Sequence, residues 1–113
     1  MNTKSKGKYG EDLAVSFLEK KGFEITERNY RYGRGEIDLI GILDNKLLVF
    51  IEVKLRKGNT YGEPESFVSN AQQKLIIKAA ENYLFAINWE KDIRFDIISI
   101  TREEILHIED AFY

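Results

Sequence analysis

Three charged side chains each stand between two large apolar residues, in two segments of the chain. Asp38 lies within Gly-Glu-Ile-Asp-Leu-Ile, residues 35–40, whereas Glu52 and Lys54 lie within Phe-Ile-Glu-Val-Lys, residues 50–54. An ionised group buried in a sheet destabilises the fold by several kcal/mol unless it is paired or bound to a metal. Charges at such positions therefore indicate either a functional site or an internal ion pair.

Carboxylates beside an amine match the needs of metal-dependent phosphodiester hydrolysis. Carboxylates hold magnesium ions, which polarise the phosphodiester and lower the pKa of a bound water. An ammonium next to the metal holds that water and offsets the charge that develops on the phosphoryl group. The alternative is a structural ion pair with one spare carboxylate, and the residue types alone leave both interpretations open.

Whether the three side chains meet depends on the turn between the two segments. Alternation along a strand places Glu52 and Lys54 on one face. A two-residue turn at residues 44–45 would pair Asp38 with Ile51 and direct its side chain to the opposite face, whereas a three-residue loop pairs Asp38 with Glu52. We therefore predict an odd-numbered loop containing a left-handed residue, or a bulge.

Glu11 is the fourth candidate for the site. On the first predicted helix it shares a face with Ala14 and Leu18, and this face is expected to cover the sheet. Its carboxylate would then reach the same cavity as a further metal ligand. The alternative is that Glu11 only complements the dipole at the helix N-terminus.

A basic loop precedes the first charged segment. Arg28, Arg31 and Arg34 are interleaved with Tyr30 and Tyr32, a combination that suits binding of a nucleic-acid backbone with stacking on a base or sugar. An ordinary solvated loop is the alternative. Further candidate contacts to nucleic acid follow the second charged segment or open the second predicted helix: Arg56, Lys57, Gln72 and Gln73.

Hydrophobic periodicity predicts the elements that must position these residues. Helical spacing predicts helices over residues 9–21, ended by Gly22, and over residues 70–87, capped by Asn70. Large apolar and β-branched residues predict strands over residues 23–30, 36–43, 46–55 and 94–100, with a last edge strand over 106–108. A capping box at Thr101 and Glu104 predicts a short helical turn before that edge strand. The order αβββαβ(β) predicts an α/β fold with a mixed central β-sheet flanked by helices.

Composition restricts the class of protein and of metal. The 113 residues, with 43% hydrophobic and 32% charged side chains, predict a single domain over residues 1–113. The chain has no cysteine, and His107 is its one histidine, which excludes thiolate catalysis and histidine-rich metal sites. A bound metal would be held by carboxylates and carbonyls, which favours Mg²⁺ or Mn²⁺.

Charge and hydropathy indicate where the protein acts. Net charge is −2 overall, but +3 over residues 1–34, −1 over residues 35–89 and −4 over residues 90–113, so the basic front of the chain is expected to meet phosphate. The longest apolar run, residues 47–51, is far shorter than the ~20 residues of a membrane span. The protein is expected to be cytoplasmic and not to associate with a membrane.

The charged segments, with Gly10-Glu11 on the first helix, resemble the YraN-like family of restriction-endonuclease-like proteins, which is related to archaeal Holliday-junction resolvases. The resemblance covers most of the chain, and it includes residues 28–31, 61–62, 72–73 and 94–96. It implies a restriction-endonuclease-like fold in which Asp38, Glu52 and Lys54 match the superfamily's D…(D/E)-x-K signature. It also implies that Glu11 is the acid carried on the helix.

The expected function is a metal-dependent nuclease that hydrolyses phosphodiester bonds in structured or branched DNA during repair or recombination. Catalysis would rest on Glu11, Asp38, Glu52 and Lys54, with the three carboxylates as ligands of Mg²⁺ or Mn²⁺. A homodimer is possible, because two matched cuts need two sites. The alternative is a non-catalytic nucleic-acid-binding module, favoured by the modest overall charge and by Gln72, which stands where the resemblance leads us to expect a lysine.

Overall fold

The computed structural model describes residues 3–56, 68–102 and 104–113. These residues form two helices and five strands in the order α1 (Thr3–Lys20), β1 (Phe23–Tyr32), β2 (Gly35–Leu43), β3 (Leu47–Leu55), α2 (Asn70–Ile87), β4 (Asp92–Ile100) and β5 (Ile105–Ile108). The predicted element order is confirmed, and most boundaries differ by only one or two residues. Neither helix in the described ranges is long and apolar enough to cross a membrane.

The strands form one sheet in the order β1-β2-β3-β4-β5. The pair β3–β4 is parallel and the other neighbouring pairs are antiparallel. A parallel pair needs a crossover connection, and α2 lies within the one that joins β3 to β4. The prediction of an α/β fold with a mixed sheet is therefore confirmed.

The helices cover opposite faces of the sheet, and each face has its own buried cluster. Ala14 and Leu18 of α1 pack against sheet residues that include Leu39, Val49 and Ile51. The cluster under α2 contains large residues from four elements, Ile40, Leu48, Phe50, Ile76, Tyr83 and Phe95. The central strands β2, β3 and β4 thus send side chains into both cores, which is why their sequences are apolar on both faces.

The helix termini correct two of the predictions. Helix α1 begins at Thr3, six residues before the predicted start at Tyr9. The sequence does not indicate this first part of the helix, because residues 3–8 carry no apolar periodicity. Its predicted stop is confirmed, since Gly22 has φ +98°, a conformation that favours glycine. Ser69 rather than Asn70 caps α2, because the Ser69 hydroxyl accepts a hydrogen bond of 3.1 Å from the backbone N–H of Gln72.

The predicted helical turn before the last strand is also wrong. Residues 101, 102 and 104 are not helical, and β5 begins directly afterwards at Ile105. The Thr101 hydroxyl accepts from the backbone N–H of Glu104, as in a capping box, but the Thr101 N–H donates to the Glu104 carbonyl. That backbone bond closes a tight turn between two antiparallel strands in place of a first helical turn.

The hairpin between β2 and β3 has the predicted odd-numbered loop. Leu43 pairs with Leu47, so residues 44–46 form a three-residue loop, and Asp44 and Asn45 both have a positive φ, 56° and 57°. The same register continues to Leu39 opposite Ile51. One step further it places residue 38 opposite residue 52, as the convergence of the charged side chains requires.

Candidate active site

The sheet divides at the place where the charged residues lie. Pairing between β2 and β3 ends at Leu39 and Ile51. Beyond this point β2 continues alongside β1 to Gly35, while β3 continues alongside β4 to Leu55. We call the gap between residues 35–38 and 52–55 the fork.

Asp38 lies at a break in the alternation of β2. Ile37 belongs to the core under α2, whereas Leu39 belongs to the core under α1, so the side chain between them leaves the regular two-face pattern. The Asp38 carboxylate oxygen Oδ2 accepts a hydrogen bond of 2.8 Å from the backbone N–H of Val53. The carboxylate thus bridges the fork and replaces a backbone bond of the sheet.

Glu52 faces Asp38 across the fork and is 6% exposed. The side-chain amide of Gln72 on α2 donates to its Oε2 atom, and the Lys54 ammonium lies 3.8 Å from the same atom. Burial, a hydrogen bond with Asp38 and the charge of Asp38 raise the pKa of Glu52 to about 9, although the Lys54 charge opposes the shift. Without a cation, Glu52 therefore keeps its proton at neutral pH.

A cavity of about 170 Å³ opens at the fork. It is lined by the two carboxyl groups, by residues at the start of β2 and by residues of α2. A β-carbon on Gly35 would lie only 2.4 Å from the Leu75 carbonyl oxygen, so this position requires glycine if α2 is to pack this closely. The lining residues are Arg34, Gly35, Glu36, Asp38, Glu52, Gln72, Leu75 and Ile76.

Glu11 approaches the fork from the side of α1 and does not line this cavity. Its carboxylate accepts a hydrogen bond of 3.0 Å from the Asn29 side chain and lies 3.7 Å from the Arg28 guanidinium. Burial, together with the charges of Asp38 and Glu36, raises the pKa of Glu11 despite these two contacts. The interpretation of Glu11 as a helix-dipole residue is wrong, because α1 begins at Thr3 and dipole effects are confined to the first turn.

The donor set of the fork suits a hard divalent cation. Magnesium in proteins is typically held by one or two carboxylates with waters and substrate phosphate completing its octahedron, and two carboxyl groups that meet across the fork provide such a pair. Asp38 and Glu52 would hold the ion. Across residues 3–56, 68–102 and 104–113 there is no group of three or more carboxylate or histidine side chains arranged around one point, so Glu11 as a third ligand stays a prediction.

The arginines of the predicted nucleic-acid loop have different surroundings. Arg34 lines the fork cavity. Arg28 instead contacts Asp12 at 2.7 Å, and Arg31 lies 3.3 Å from Glu36. Of the three, Arg34 is the one that the structure brings to the site.

The two tyrosines of the same segment also differ. The Tyr30 ring packs edge-on against Tyr83 at 5.0 Å, so it belongs to the core under α2. Tyr32 is 47% exposed. Only the second ring is available to stack on a base.

The remaining nucleic-acid candidates are only partly brought to the site. Gln72 reaches Glu52, which supports a role in orienting a ligand. Gln73 donates to the Val68 carbonyl at 3.0 Å and so stabilises the start of α2. Arg56 is half-buried after β3, with its backbone N–H bonded to the Ile100 carbonyl, and Lys57 lies outside the described residues.

Sequence reasoning missed Glu36 as a member of the site. Glu36 lines the fork cavity, and its charge helps to raise the pKa of Glu52. A signal was present, because Glu36 precedes Asp38 by two residues on one strand. Its proximity to Glu52 depends on the fork and could not be read from spacing.

Sequence reasoning also missed a buried polar cluster on the α1 face. Asp96 is fully buried and accepts from the Arg94 guanidinium at 2.8 Å and from the Asp110 backbone at 3.0 Å. The Nε2 atom of His107 lies 2.7 Å from Asp96, and the Lys21 ammonium donates to the Nδ1 atom of the same ring at 2.6 Å. Since Nδ1 accepts, Nε2 carries the hydrogen and donates to Asp96. Through His107 and Asp110, these hydrogen bonds hold β5 and the residues after it against β4.

Comparisons with known proteins identify relatives along nearly the whole chain. The model of a family described as "Uncharacterised protein family UPF0102" matches residues 10–100. The chain is 48% identical to a UPF0102 protein of Cytophaga hutchinsonii over 94% of each chain. It is 44% identical to UPF0102 protein FP2501 of Flavobacterium psychrophilum, over 95% of this chain and 92% of the relative. It is 45% identical to UPF0102 protein CPE1705 of Clostridium perfringens, over 96% and 94%. These names state no activity.

Proposed function

The chain belongs to the UPF0102 family, whose model spans Glu11, Asp38, Glu52 and Lys54, and we propose that it is a metal-dependent nuclease with a restriction-endonuclease-like fold. It would hydrolyse phosphodiester bonds in structured or branched DNA, in the cytoplasm, during repair or recombination. The observation that carries the proposal is the meeting of Asp38, Glu52 and Lys54 at the fork, where two strands part and α2 leaves a cavity.

The state of Glu52 argues against a structural ion pair. In such a pair the lysine would stabilise the ionised carboxylate and lower its pKa. Here the pKa of Glu52 is raised because burial and Asp38 outweigh the Lys54 ammonium at 3.8 Å. Ionisation of Glu52 beside Asp38 would put more negative charge in this buried place than the lysine offsets, which is the condition that a divalent cation relieves.

In this proposal each residue of the fork has its own role in hydrolysis. A bound Mg²⁺ or Mn²⁺ would polarise the phosphodiester and lower the pKa of a water. Asp38 and Glu52 would hold the ion, and Gln72 keeps the Glu52 carboxyl group in place. Lys54 is positioned to hold the attacking water and to offset charge on the phosphoryl oxygens. The water oxygen would form a bond to phosphorus and release a proton, the bond to the leaving ester oxygen would break, and that oxygen would take up a proton.

Cleavage of labelled DNA tests the proposal. Branched and linear substrates are incubated with the protein in Mg²⁺, in Mn²⁺ and in EDTA. We expect metal-dependent cleavage that Asp38→Asn and Glu52→Gln each reduce by at least about a hundredfold, while Glu24→Gln, an exposed control on β1, leaves it unchanged. Absence of cleavage by the unaltered protein, or equal cleavage by Asp38→Asn, would contradict the proposal.

A second candidate, a nucleic-acid-binding module without catalysis, is favoured by the position of Glu11. Asn29 and Arg28 engage this carboxylate, and it does not line the fork cavity. This function predicts salt-dependent DNA binding that survives Asp38→Asn and Glu52→Gln, with no turnover in any metal. Turnover by the unaltered protein excludes it.

A further inference from the structure

A second cavity, of about 350 Å³, lies on the α2 side of the sheet next to the fork cavity. It is lined by Tyr32 from the end of β1 and by Lys78, Glu81 and Asn82 from α2. This volume lies within the range of small-ligand sites, about 300–1,000 Å³. None of its lining residues belongs to the fork.

The two cavities follow one path along the same two elements. Both lie between α2 and the β1–β2 turn, with Arg34 in the first and Tyr32 in the second. Their lining residues on α2 are centred about six positions apart, or roughly 9 Å along the helix. A stacked strand advances about 3.4 Å per nucleotide and an unstacked one more, so a strand cut at the fork reaches the second cavity within about three nucleotides.

The lining of the second cavity has the groups that recognise one nucleotide. Tyr32 offers an aromatic face that is 47% exposed. The Tyr30 hydroxyl donates to Asn82 Oδ1 at 2.6 Å, which fixes the amide and leaves Nδ2 as the donor that Asn82 presents. Glu81 adds an acceptor for a base amino group, and Lys78 adds a cation for phosphate.

We propose that this cavity binds one unstacked nucleotide of the strand that is cut at the fork. The proposal rests on the nuclease function, and it specifies the substrate further. A base can lie on the Tyr32 ring only if one of its faces is free, which holds in single-stranded arms and at branch points but not inside a duplex. The site thus selects DNA with an unpaired segment within about three nucleotides of the cut.

Fluorescence anisotropy with labelled DNA in EDTA tests this subsite without relying on cleavage. One probe is a forked duplex with single-stranded arms, and the other is the fully paired duplex of the same length. We expect Tyr32→Ala to weaken binding of the forked probe about 5- to 100-fold and to leave binding of the paired probe unchanged. Tyr32→Phe keeps the ring and should retain most of the affinity for the forked probe.

Lys78→Ala should weaken binding and lower the salt dependence of the forked probe by roughly the share of one phosphate. Lys46→Ala, an exposed residue of the β2–β3 loop at the opposite end of these strands from the fork, and Tyr9→Ala on α1, where Tyr9 is 58% exposed, are the matched controls. Neither control residue lines either cavity, so neither substitution should change the affinity for either probe.

The outcomes separate this subsite from the nuclease function. If the unaltered protein cleaves DNA but Tyr32→Ala binds both probes as the unaltered protein does, the subsite is refuted and the nuclease stands. Equal weakening for both probes also refutes it, because stacking on an unpaired base cannot affect a closed duplex. If the unaltered protein binds neither probe, both proposals fail.

Discussion

Burial and the neighbouring Asp38 raise the pKa of Glu52 to about 9, so the metal-free protein folds with this carboxyl group protonated at neutral pH. Between the ordinary pKa of 4.5 and this raised value, the unfolded chain has released the proton while the folded protein still holds it. The free energy of unfolding must therefore fall as the pH rises through this window, by up to about 1.4 kcal/mol per pH unit. Urea unfolding in EDTA at about pH 6 and about pH 9 measures the slope.

Glu52→Gln should flatten this slope, because glutamine has no proton to release and keeps an oxygen for the Gln72 amide. The exposed control Glu24→Gln should retain the slope. Adding Mg²⁺ or Mn²⁺ near pH 8 should stabilise the unaltered protein, since a ligand that binds only the folded state shifts the equilibrium by mass action, and should stabilise Glu52→Gln far less. An unchanged slope in Glu52→Gln would contradict this assignment of the proton.

Asp38 has two separable roles, and two substitutions distinguish them. Asp38→Asn removes the charge but keeps an oxygen that accepts from the Val53 N–H, whereas Asp38→Ala removes both. Asp38→Ala should therefore be less stable than Asp38→Asn by about 1–3 kcal/mol, the usual effect of leaving a buried donor unpaired. Both variants should lose cleavage. Equal stability of the two variants in urea would mean that this hydrogen bond contributes nothing to the fold.

At the scale of elements, Asp96 fastens β5 and the chain end to β4. Burial alone would raise the pKa of Asp96, but hydrogen bonds from His107, Arg94 and the Asp110 backbone outweigh it, so the pKa is lowered. A lowered pKa stabilises the fold above the ordinary value of 3.8, and this contribution is lost as the pH falls.

Asp96→Ala leaves Arg94 and His107 without their shared partner in a buried position. We expect it to destabilise the protein by about 3–5 kcal/mol, measured by urea unfolding near pH 7. Asp92→Asn, an exposed control at the start of the same strand, should stay within about 0.5 kcal/mol of the unaltered protein. A loss below about 1 kcal/mol for Asp96→Ala would mean that the cluster contributes no more than an exposed ion pair.

For the whole molecule, the buried carboxyl groups of Asp96 and Glu52 have opposite effects on how the free energy of unfolding changes with pH. Asp96 contributes stability that is lost as the pH falls, and Glu52 contributes stability that is lost as the pH rises. The metal-free protein should therefore be most stable at mildly acidic pH, and a bound divalent cation should move that maximum upwards by replacing the proton on Glu52.

Much of this architecture was predictable from sequence, because helices and strands bury apolar faces with different periods. The three-residue β2–β3 loop was one of two arrangements predicted, since either an odd-numbered loop or a bulge brings Asp38 opposite Glu52. The start of α1 was not, because residues 3–8 are polar and leave no periodic signal. The separate surroundings of Arg28, Arg31 and Arg34, like the partner of His107, depend on tertiary contacts between distant parts of the chain.

The hydrogen bond between Asp38 and Val53 affects what can be inferred from the residues that relatives carry at positions 38 and 52. A relative without catalytic activity would still be stabilised by a hydrogen-bond acceptor at position 38, because the Val53 backbone N–H donates there. An aspartate or asparagine at position 38 therefore says little about activity. Position 52 is different, since the raised pKa of its acid lowers the free energy of unfolding as the pH rises. Under the proposed function, glutamine or an apolar residue is expected there in a relative that does not cleave DNA. Under the proposed function, an acid at position 52 is therefore expected in the relatives that cleave DNA.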